Sequence, residues 1–275
     1  MNSKNCLFSI VTVCLNAGVD LSATANSVLG QTWKNFEYII KDGLSTDGSI
    51  EGLSKDNRCQ IVSMKDTGIF DAMNQALSLV KGDFVVFLNA GDLFFAKDTL
   101  EDVAEIIQRH PQVEFFYGHI RKLESRKGYE FYPKRLSRYF LYTNGLCHQA
   151  WFVSVKLYYR LGGFDPNFPI GSDYTFLLKA VLEAKAKTCN IDRIVAVYKG
   201  SGVSSDRDLA LRSDAWRQAA REKYFTRTEV FTYKFIYGLR KFAKMICYDT
   251  ILYRFVSRLY ELRVSNSSYN DRYRR

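Results

Sequence analysis

Apolar and polar positions alternate along the first 90 residues in an order typical of a parallel sheet. A β-rich apolar run over 7–15 precedes a helical pattern over about 20–29 and a second short strand over 36–41. Beyond it, the pattern predicts a third strand over 59–63, a helix over 69–80 and a nearly continuous apolar strand over 83–88. Strands that alternate with helices at this spacing predict an α/β fold.

The pattern becomes less regular after residue 90. It predicts a helix near 98–108, a strand near 114–118, hairpin strands up to Trp151 and a helix over 173–184. We therefore expect a mixed sheet with flanking helices, and neither an internal repeat nor a flexible linker before the basic end of the chain.

The end of the chain has a different pattern. Apolar residues recur there at close to helical spacing between cationic ones: Phe231, Phe235, Leu239, Phe242, Ile246, Leu252, Phe255 and Leu259. Residues 199–275 carry 17 Lys and Arg against 8 Asp and Glu, whereas residues 1–198 carry 22 against 21, so nearly all of the net charge of +10 lies in the last quarter. The sequence predicts a C-terminal basic amphipathic helical segment.

This segment has two main interpretations. The helix either packs on its own domain with a solvated basic face, or lies on an anionic lipid surface. A nucleic-acid partner is not expected, because apolar side chains interleave with the cations. We expect a catalytic domain over 1–204 and a helical extension over 205–275.

Composition narrows the class of protein. Of the 275 residues, 47% are apolar and 25% charged, as in an ordinary soluble fold, and no stretch is apolar enough for a bilayer span. The N-terminal apolar run lacks a small-residue cleavage site, so a cytoplasmic location is expected. The six cysteines show no short paired spacing and indicate reduced, buried thiols.

Polar side chains follow four predicted parallel strands: Asn16, Asp42, Asp66 and Asp92. The carboxyl ends of parallel strands meet in one crevice, where carboxylates can bind a ribose and a divalent cation. This recurrence indicates a nucleotide-diphosphate site. Each residue alone has a simpler interpretation, because Asp42-Gly43 is a common turn and Asn16 a common cap.

Six ordered segments resemble family 2 glycosyltransferases of the GT-A fold, and most closely the bacterial subgroup of colanic-acid-type and other surface-polysaccharide enzymes. They are SIVTVCLN (9–16), SVLGQTWKNFEYIIKDGLSTDGS (27–49), DTGIFDAMNQAL (66–77), GDFVVFLNAGD (82–92), HQAWF (148–152) and GGFD with SDY (162–174). The resemblance covers about residues 7–200. It implies a Rossmann-like nucleotide-diphospho-sugar transferase.

The resemblance assigns donor-site residues. Val13 to Asn16 and Asp42 match the positions that bind the nucleotide base, and the segment along the nucleoside and diphosphate supplies further candidates: Asp66, Gly68, Asp71 and Asn74. Asp71 also has the simpler interpretation of a helix cap.

The cation motif departs from the family pattern. Where relatives commonly carry Asp-x-Asp, FLNAGD supplies Asn89 and Gly91 with only Asp92 acidic. The resemblance still implies Mg²⁺ or Mn²⁺ held by Asp92, with His148 as a second metal-ligand candidate, since Mg²⁺ is often bound by one or two carboxylates plus phosphates and waters. Asn89 joins the donor-site candidates.

Asp173 is the candidate catalytic base. Inverting transfer needs a carboxylate that takes a proton from the acceptor hydroxyl, and Asp173 in SDY matches the family's acidic position. Its simpler interpretation is a helix cap, and Asp165 in GGFD is a weaker acceptor-site candidate.

The sequence thus indicates an inverting glycosyltransferase on the cytoplasmic face of the inner membrane, peripherally bound. It would move a sugar from a nucleotide diphosphate to a hydroxyl of a lipid-linked glycan in surface-polysaccharide synthesis. A catalytically silent scaffold is the alternative, because the Asp-x-Asp motif is eroded. A sugar nucleotidyltransferase is disfavoured, because the first strand is not followed by a glycine-rich basic loop.

Overall fold

The computed structural model describes residues 7–53, 55–123, 128–165, 167–168, 170–200 and 207–247. By its internal contacts the chain divides into two compact units, Met1–Tyr224 and Phe225–Arg275. The expected boundary between residues 204 and 205 lies outside the described residues.

The first unit alternates strands and helices along the chain. The first half contains β1 (Phe8–Cys14), α1 (Val19–Leu29), β2 (Phe36–Asp42), β3 (Cys59–Ser63), α2 (Ile69–Leu77), β4 (Phe84–Phe87), β5 (Leu93–Phe94) and α3 (Thr99–Arg109). The second half contains β6 (Phe115–Lys122), β7 (Tyr129–Glu130), α4 (Arg138–Thr143), β8 (Trp151–Ser154), α5 (Val155–Leu161), α6 (Ser172–Leu178), β9 (Thr188–Tyr198) and α7 (Arg207–Tyr224).

One sheet connects all the strands described, in the order β3-β2-β1-β4-β8-β6-β9-β5, with β7 paired to β6. β3, β2, β1 and β4 are parallel, whereas β8 runs antiparallel to both β4 and β6. Every residue of β1 is buried, as expected for a central strand covered on both faces. The carboxyl ends of the four parallel strands therefore meet at one edge of the sheet.

Helices α1 and α3 cover one face of the sheet. Leu21, Ala25 and Val28 of α1, together with Leu100 and Val103 of α3, belong to one buried cluster with alternate residues of the strands. The spacing of these side chains at three or four residues places them on one face of each helix.

Aromatic rings fill the other face and fix the start of α6. Phe164 contacts Phe87 of β4, Tyr158 of α5 and Phe176 of α6, with ring centroids 5.4 to 5.7 Å apart. The Tyr158 and Phe176 rings stack at 4.6 Å. Because aromatic pairs of this kind combine large buried area with a preferred geometry, they define where α6 begins.

The second unit contains α8 (Arg227–Cys247) among its described residues. The helix begins with a reciprocal cap, in which the Glu229 backbone N–H donates to Oγ1 of Thr226 and the Thr226 N–H donates to the Glu229 carboxylate. No described helix has the length and apolar character needed to cross a membrane. The apolar positions predicted beyond residue 247 lie outside the described residues.

The elements of the first 110 residues confirm the predictions to within a few residues, except for the two-residue strand β5, which was not predicted. The expectation of hairpin strands up to Trp151 is wrong in part, because α4 occupies the aromatic stretch that follows its N-cap, Ser137. β9 was not predicted, since Asn190 and Asp192 interrupt its apolar pattern. Asp192 has a positive φ of 55°, and the pairing of β9 with β6 shifts register nearby.

Four cysteines are free thiols, and of these Cys14 is buried. Cys59, Cys147 and Cys189 are partly exposed, and the side chains of Cys6 and Cys247 lie outside the described part of the chain. Burial raises the pKa of Cys14 to about 12 and that of Cys59 to about 11, so both thiols stay protonated at neutral pH.

Gly118 is the tightest point of the β6–β9 pairing. A Cβ atom there would lie 2.7 Å from Cγ1 of Val195 and 2.9 Å from the Arg193 carbonyl oxygen. We expect Gly118→Ala to lower the free energy of unfolding by about 1–3 kcal/mol, as overpacking does in dense cores. Urea unfolding measures this. Gly52→Ala, whose Cβ would have no neighbour closer than 3.8 Å, is the control; equal effects of the two would contradict the prediction.

Candidate active site

Asp42 is the last residue of β2, and its carboxylate forms hydrogen bonds with the loop that follows. Its carboxylate accepts from the Ser45 hydroxyl at 2.5 Å and from the Ser45 backbone N–H at 3.0 Å, and the residue is only 2% exposed. Burial alone would raise the pKa of Asp42, but the hydrogen bonds from Ser45 outweigh it and hold that pKa below its ordinary value. Asp42 is therefore an ionised carboxylate turned toward its own loop.

Asn16 joins the loop after β1 to the loop after β2. Its backbone N–H donates to Oγ of Ser45 and its side-chain carbonyl accepts from the Thr46 N–H, both at 2.8 Å. Its φ of 50° is one that Asn tolerates better than most residues. Val13 is the residue before the last one of β1, buried and in register with Lys41 of β2.

Lys41 is the main site residue that the sequence analysis missed. Its ammonium group is fully buried and donates to the Asp66 carboxylate at 2.8 Å and to the carbonyl oxygens of Met64 and Asp42 at 2.5 and 3.1 Å. Asp66 is thereby held against β2. The absence of a side chain at Gly43 leaves room for the Asp66 carboxylate, since a Cβ at Gly43 would lie 3.0 Å from Oδ2 of Asp66. The only signal in the sequence is a lysine that ends an apolar strand.

Gly68 and Asp71 form the start of α2. Gly68 has a φ of 142° and its N–H donates to Oδ1 of Asp66 at 3.2 Å. Asp71 accepts from the backbone N–H of Thr67 at 2.7 Å and from the Thr67 hydroxyl at 3.0 Å, the pattern of a carboxylate that caps its own helix. The two residues thus shape the loop between β3 and α2.

Asn74 ties α2 to the loop that precedes α6. Its Nδ2 donates to the Phe164 carbonyl oxygen and its Oδ1 accepts from the Phe164 N–H, both at 2.8 Å. Gly163 permits this contact, because a Cβ there would lie 2.5 Å from Oδ1 of Asn74. The structure therefore places Asn74 beside the GGFD loop.

The structure brings Asn89, His148 and Asp173 together. Nδ1 of His148 lies 3.3 Å from Oδ2 of Asp173, and Nε2 lies 3.2 Å from Nδ2 of Asn89. Since an ionised carboxylate only accepts and the amide nitrogen only donates, these partners place the ring proton on Nδ1. The chain of donors runs from Asn89 through His148 to Asp173, and His148 thereby orients the Asp173 carboxylate.

Asp173 lies at the first turn of α6 with its side chain 26% exposed. Burial alone would raise its pKa, but the hydrogen bonds from His148 and the Tyr174 N–H and the charge of Arg217 outweigh this, so the pKa of Asp173 stays below its ordinary value. The result is an ionised carboxylate that is partly accessible and held in one orientation.

Asp92 lies at the same edge of the sheet, deeper than Asp173. Its Oδ2 accepts from Nε2 of Gln149 at 2.8 Å and its Oδ1 from the Lys199 N–H at 3.2 Å, and it is 5% exposed. Burial raises the pKa of Asp92 to about 6 despite these bonds. Gln149 and Lys199 were not predicted, although Gln149 adjoins His148 in the HQAWF segment.

A divalent cation fits the chemistry of this region. Among the described residues there is no group of three or more His, Cys, Asp or Glu side chains placed to hold a metal. However, a cation would stabilise the ionised form of the buried Asp92. In addition, Oδ1 of Asn89 is buried without a hydrogen-bond partner in the described part of the chain. Carboxylate and amide oxygens are ligands that Mg²⁺ and Mn²⁺ accept.

Helix α7 adds a cation near Asp173 that the sequence analysis did not single out. The Arg217 guanidinium lies over the Tyr174 ring, 4.8 Å from its centroid, and its charge contributes to the low pKa of Asp173. The next turn repeats the contact, with Arg221 5.0 Å from the centroid of the Tyr142 ring. These cation–π contacts pack α7 against α4 and α6.

The family model described as "Glycosyl transferase family 2" matches residues 9–159. The chain belongs to glycosyl transferase family 2. A PGL/p-HBAD biosynthesis glycosyltransferase from Mycobacterium bovis is 30% identical over 203 residues, which are 71% of this chain and 78% of the relative. The family resemblance of the sequence is therefore confirmed.

Solved structures confirm the GT-A fold of this family 2 enzyme. S. aureus TarS 1-349 in complex with UDP-GlcNAc aligns with a TM-score of 0.61 at 18% identity, over 80% of this chain and 68% of that chain. The mannosyltransferase PcManGT from Pyrobaculum calidifontis, in complex with GDP-Man and Mn2+, aligns with a TM-score of 0.55 at 20% identity. This match covers 78% of this chain and 61% of that chain. Part of each solved chain lies outside the match.

The Lys41–Asp66 pair gives a stability prediction for the transferase. Lys41→Met leaves Asp66 charged and without its buried partner, so we expect the free energy of unfolding to fall by about 3 kcal/mol or more in urea titrations. Arg109→Met removes the exposed pair with Glu105 and should cost less than about 0.5 kcal/mol.

A double variant separates loss of the charge from loss of the packing. Lys41→Met with Asp66→Leu removes both charges and should recover part of the stability. A Lys41→Met protein as stable as the Arg109→Met control would contradict the assigned role of Lys41.

Proposed function

We propose that this family 2 transferase is an inverting enzyme that moves a sugar from a nucleotide diphosphate to a hydroxyl of a lipid-linked glycan. The observation that carries the proposal is the ionised, oriented Asp173 carboxylate at the edge of the sheet where the loops of β1 to β4 meet. A carboxylate held in this way suits a general base.

The donor binds across the loops held by Asn16, Asp42 and the Lys41–Asp66 pair. The TarS structure with UDP-GlcNAc and the PcManGT structure with GDP-Man support a nucleotide sugar as the class of donor. Val13, Gly68, Asp71 and Asn74 form or brace the surrounding backbone. The bonds that connect these loops prepare the site before the donor arrives, which reduces the entropy lost on binding.

Mg²⁺ or Mn²⁺ would be held by Asp92, with Asn89 and His148 beside it. When bound, the cation neutralises charge that develops on the departing diphosphate. The Mn2+ in the PcManGT structure supports this assignment. The protein's own contribution is to hold the Asp92 carboxylate through Gln149 and the Lys199 N–H.

Asp173 accepts the proton of the acceptor hydroxyl as that oxygen bonds to the anomeric carbon. The bond between the anomeric carbon and the diphosphate oxygen breaks on the opposite face, so the configuration inverts. His148 keeps its proton on Nδ1 toward Asp173 and orients the carboxylate. A catalytically silent scaffold would have no need for this pair, which disfavours that alternative.

The second unit supports peripheral attachment to the cytoplasmic face of the inner membrane. One face of α8 carries a stripe of apolar side chains that are each more than half exposed: Phe231, Phe235, Leu239 and Phe242. At 100° per residue Lys234 and Lys241 both lie along one side of this stripe, and both are exposed. Exposed apolar rings beside cations are typical of helices that lie on anionic lipid. A membrane-bound enzyme would meet a lipid-linked acceptor in surface-polysaccharide synthesis.

Asp173→Asn should abolish transfer while nucleotide binding persists. An amide cannot accept the proton, so the rate should fall by about 10²- to 10⁴-fold. Release of nucleotide diphosphate from UDP- and GDP-sugars, with Mn²⁺ or with EDTA, measures activity, and thermal shift measures donor binding.

Asp98→Asn is the matched control for this prediction. Asp98 precedes α3, is exposed and makes no side-chain cap of that helix. We expect it to retain most of the activity. Transfer by Asp173→Asn at the rate of Asp98→Asn would remove Asp173 from the mechanism.

Replacing the α8 stripe should release the protein from anionic vesicles. Changing Phe231, Phe235, Leu239 and Phe242 to Gln removes several kcal/mol of apolar burial, so partition into phosphatidylglycerol vesicles should fall at least about 100-fold in sedimentation assays. Lys234→Gln with Lys241→Gln should weaken only the salt-sensitive part, since each cation contributes about 1 kcal/mol near such a surface.

Arg240→Lys changes an exposed residue on the opposite side of the same helix and keeps its charge, so this variant should sediment like the wild type. A wild-type protein that stays in the supernatant with anionic vesicles at low salt would contradict membrane attachment.

A further inference from the structure

Two exposed aromatic rings lie side by side at β7. Tyr129 is 43% exposed and Phe131 is 50% exposed, with ring planes 26° apart and centroids 6.2 Å apart. They are two residues apart on an extended segment and therefore share one face. Arg121 of β6, which is exposed, pairs directly with Tyr129. We call Arg121, Tyr129 and Phe131 the aromatic hairpin face.

A buried histidine supports this face from behind. The ring of His119, 4% exposed, meets the Phe131 ring edge-on at 5.1 Å. Nδ1 of His119 accepts from the Tyr132 N–H at 3.1 Å, so the ring proton is on Nε2, which faces Oδ1 of Asp192 at 3.4 Å. With both nitrogens engaged, His119 is fixed, and Phe131 packs against a rigid surface.

The sheet topology places the face beside the active site. One edge of β6 pairs with β9 along nearly the whole length of β6. The other edge of β6 pairs first with β8 and then, further along, with β7. β7 therefore lies next to the segment that leads into β8, which contains His148. A direct bond confirms the proximity, since the Tyr132 hydroxyl accepts from the Cys147 backbone N–H at 3.0 Å.

The chemistry of the face suits a sugar ring better than a lipid chain. A pyranose presents a flat side of C–H groups that packs on aromatic rings and a rim of hydroxyls that needs polar partners. Arg121 lies across from Tyr129, and the Asp192 side chain, 63% exposed, contacts Nε2 of the same His119 that packs against Phe131. A hydrocarbon chain would leave such charged groups without compensation.

We propose that the aromatic hairpin face is an acceptor subsite, on which a sugar ring of the glycan packs while its neighbouring hydroxyl reaches Asp173. This inference rests on the proposed function. It adds the place and the chemistry of acceptor recognition: apolar contact with Tyr129 and Phe131, and hydrogen bonding from Arg121.

Saturation-transfer NMR tests the subsite without knowledge of the full acceptor. The probes are methyl β-glucopyranoside, methyl β-galactopyranoside and methyl α-mannopyranoside, with farnesyl phosphate as the lipid probe. We expect at least one glycoside to receive saturation at its ring C–H protons from the wild-type protein. Tyr129→Ala with Phe131→Ala should reduce this signal at least about fivefold, whereas Phe131→Trp should retain it.

Ile61→Ala is the matched control, because Ile61 is an exposed apolar residue on β3, at the opposite end of the sheet. It should bind the glycosides like the wild type. Thermal shift with UDP and GDP and Mn²⁺ should be unchanged in all variants, which shows that they fold and keep the donor site.

Three outcomes would overturn the subsite. The wild type could give no glycoside signal, the double variant could give an undiminished glycoside signal, or the double variant could lose binding of farnesyl phosphate instead of glycoside. Glycoside binding that depends on Tyr129 and Phe131 while no nucleotide sugar binds would contradict the proposed function alone, and the aromatic hairpin face would remain a sugar-binding site.

Discussion

The burial of β1 on both faces is the constraint on which the rest of the molecule depends. A strand covered above and below must be largely apolar, and the two polar residues of β1, Ser9 and Thr12, are buried with hydrogen-bond partners. β2 and β4 pair with β1 in parallel, so the polar groups at their carboxyl ends lie beside the end of β1. Asn16, Asp42 and Asp92 therefore occupy one edge of the sheet as a consequence of how the core is packed.

Two different kinds of interaction then position the two sides of the active site. Hydrogen bonds and one buried ion pair hold the loops after β1, β2 and β3, where Lys41 replaces water around Asp66. Aromatic packing holds the side of Asp173, because Phe164 and Phe176 place α6 against β4 and α5. Polar contacts set the orientation of groups, whereas ring packing sets the position of a whole helix.

The parallel half of the fold could be predicted from the sequence because apolar periodicity and burial coincide there. β9 was not predicted because Asp192, within it, has a left-handed backbone conformation and because its pairing with β6 shifts register there. No local pattern in the sequence encodes either feature. Asp173 and His148 could be selected from the segments around them, but their direct contact depends on the fold, since 25 residues separate them.

Lys41 shows the same limit more clearly. A lysine at the end of an apolar strand would ordinarily extend to solvent, and the return of the chain at Met64 and Asp66 gives its ammonium group two of its three acceptors. Partners of this kind are brought together by tertiary structure and leave no trace in the spacing of the sequence.

The amide of Asn74 forms with Phe164 the two bonds that a neighbouring strand would otherwise form. One side chain thus acts as a single rung of β-ladder between α2 and the loop before α6. Of similarly sized side chains, only an amide offers both a donor and an acceptor in this arrangement, and an aspartate would set its charge against a carbonyl oxygen. Because the Phe164 ring also packs on Phe176, this one residue connects α2 to α6 both through its backbone and through its side chain.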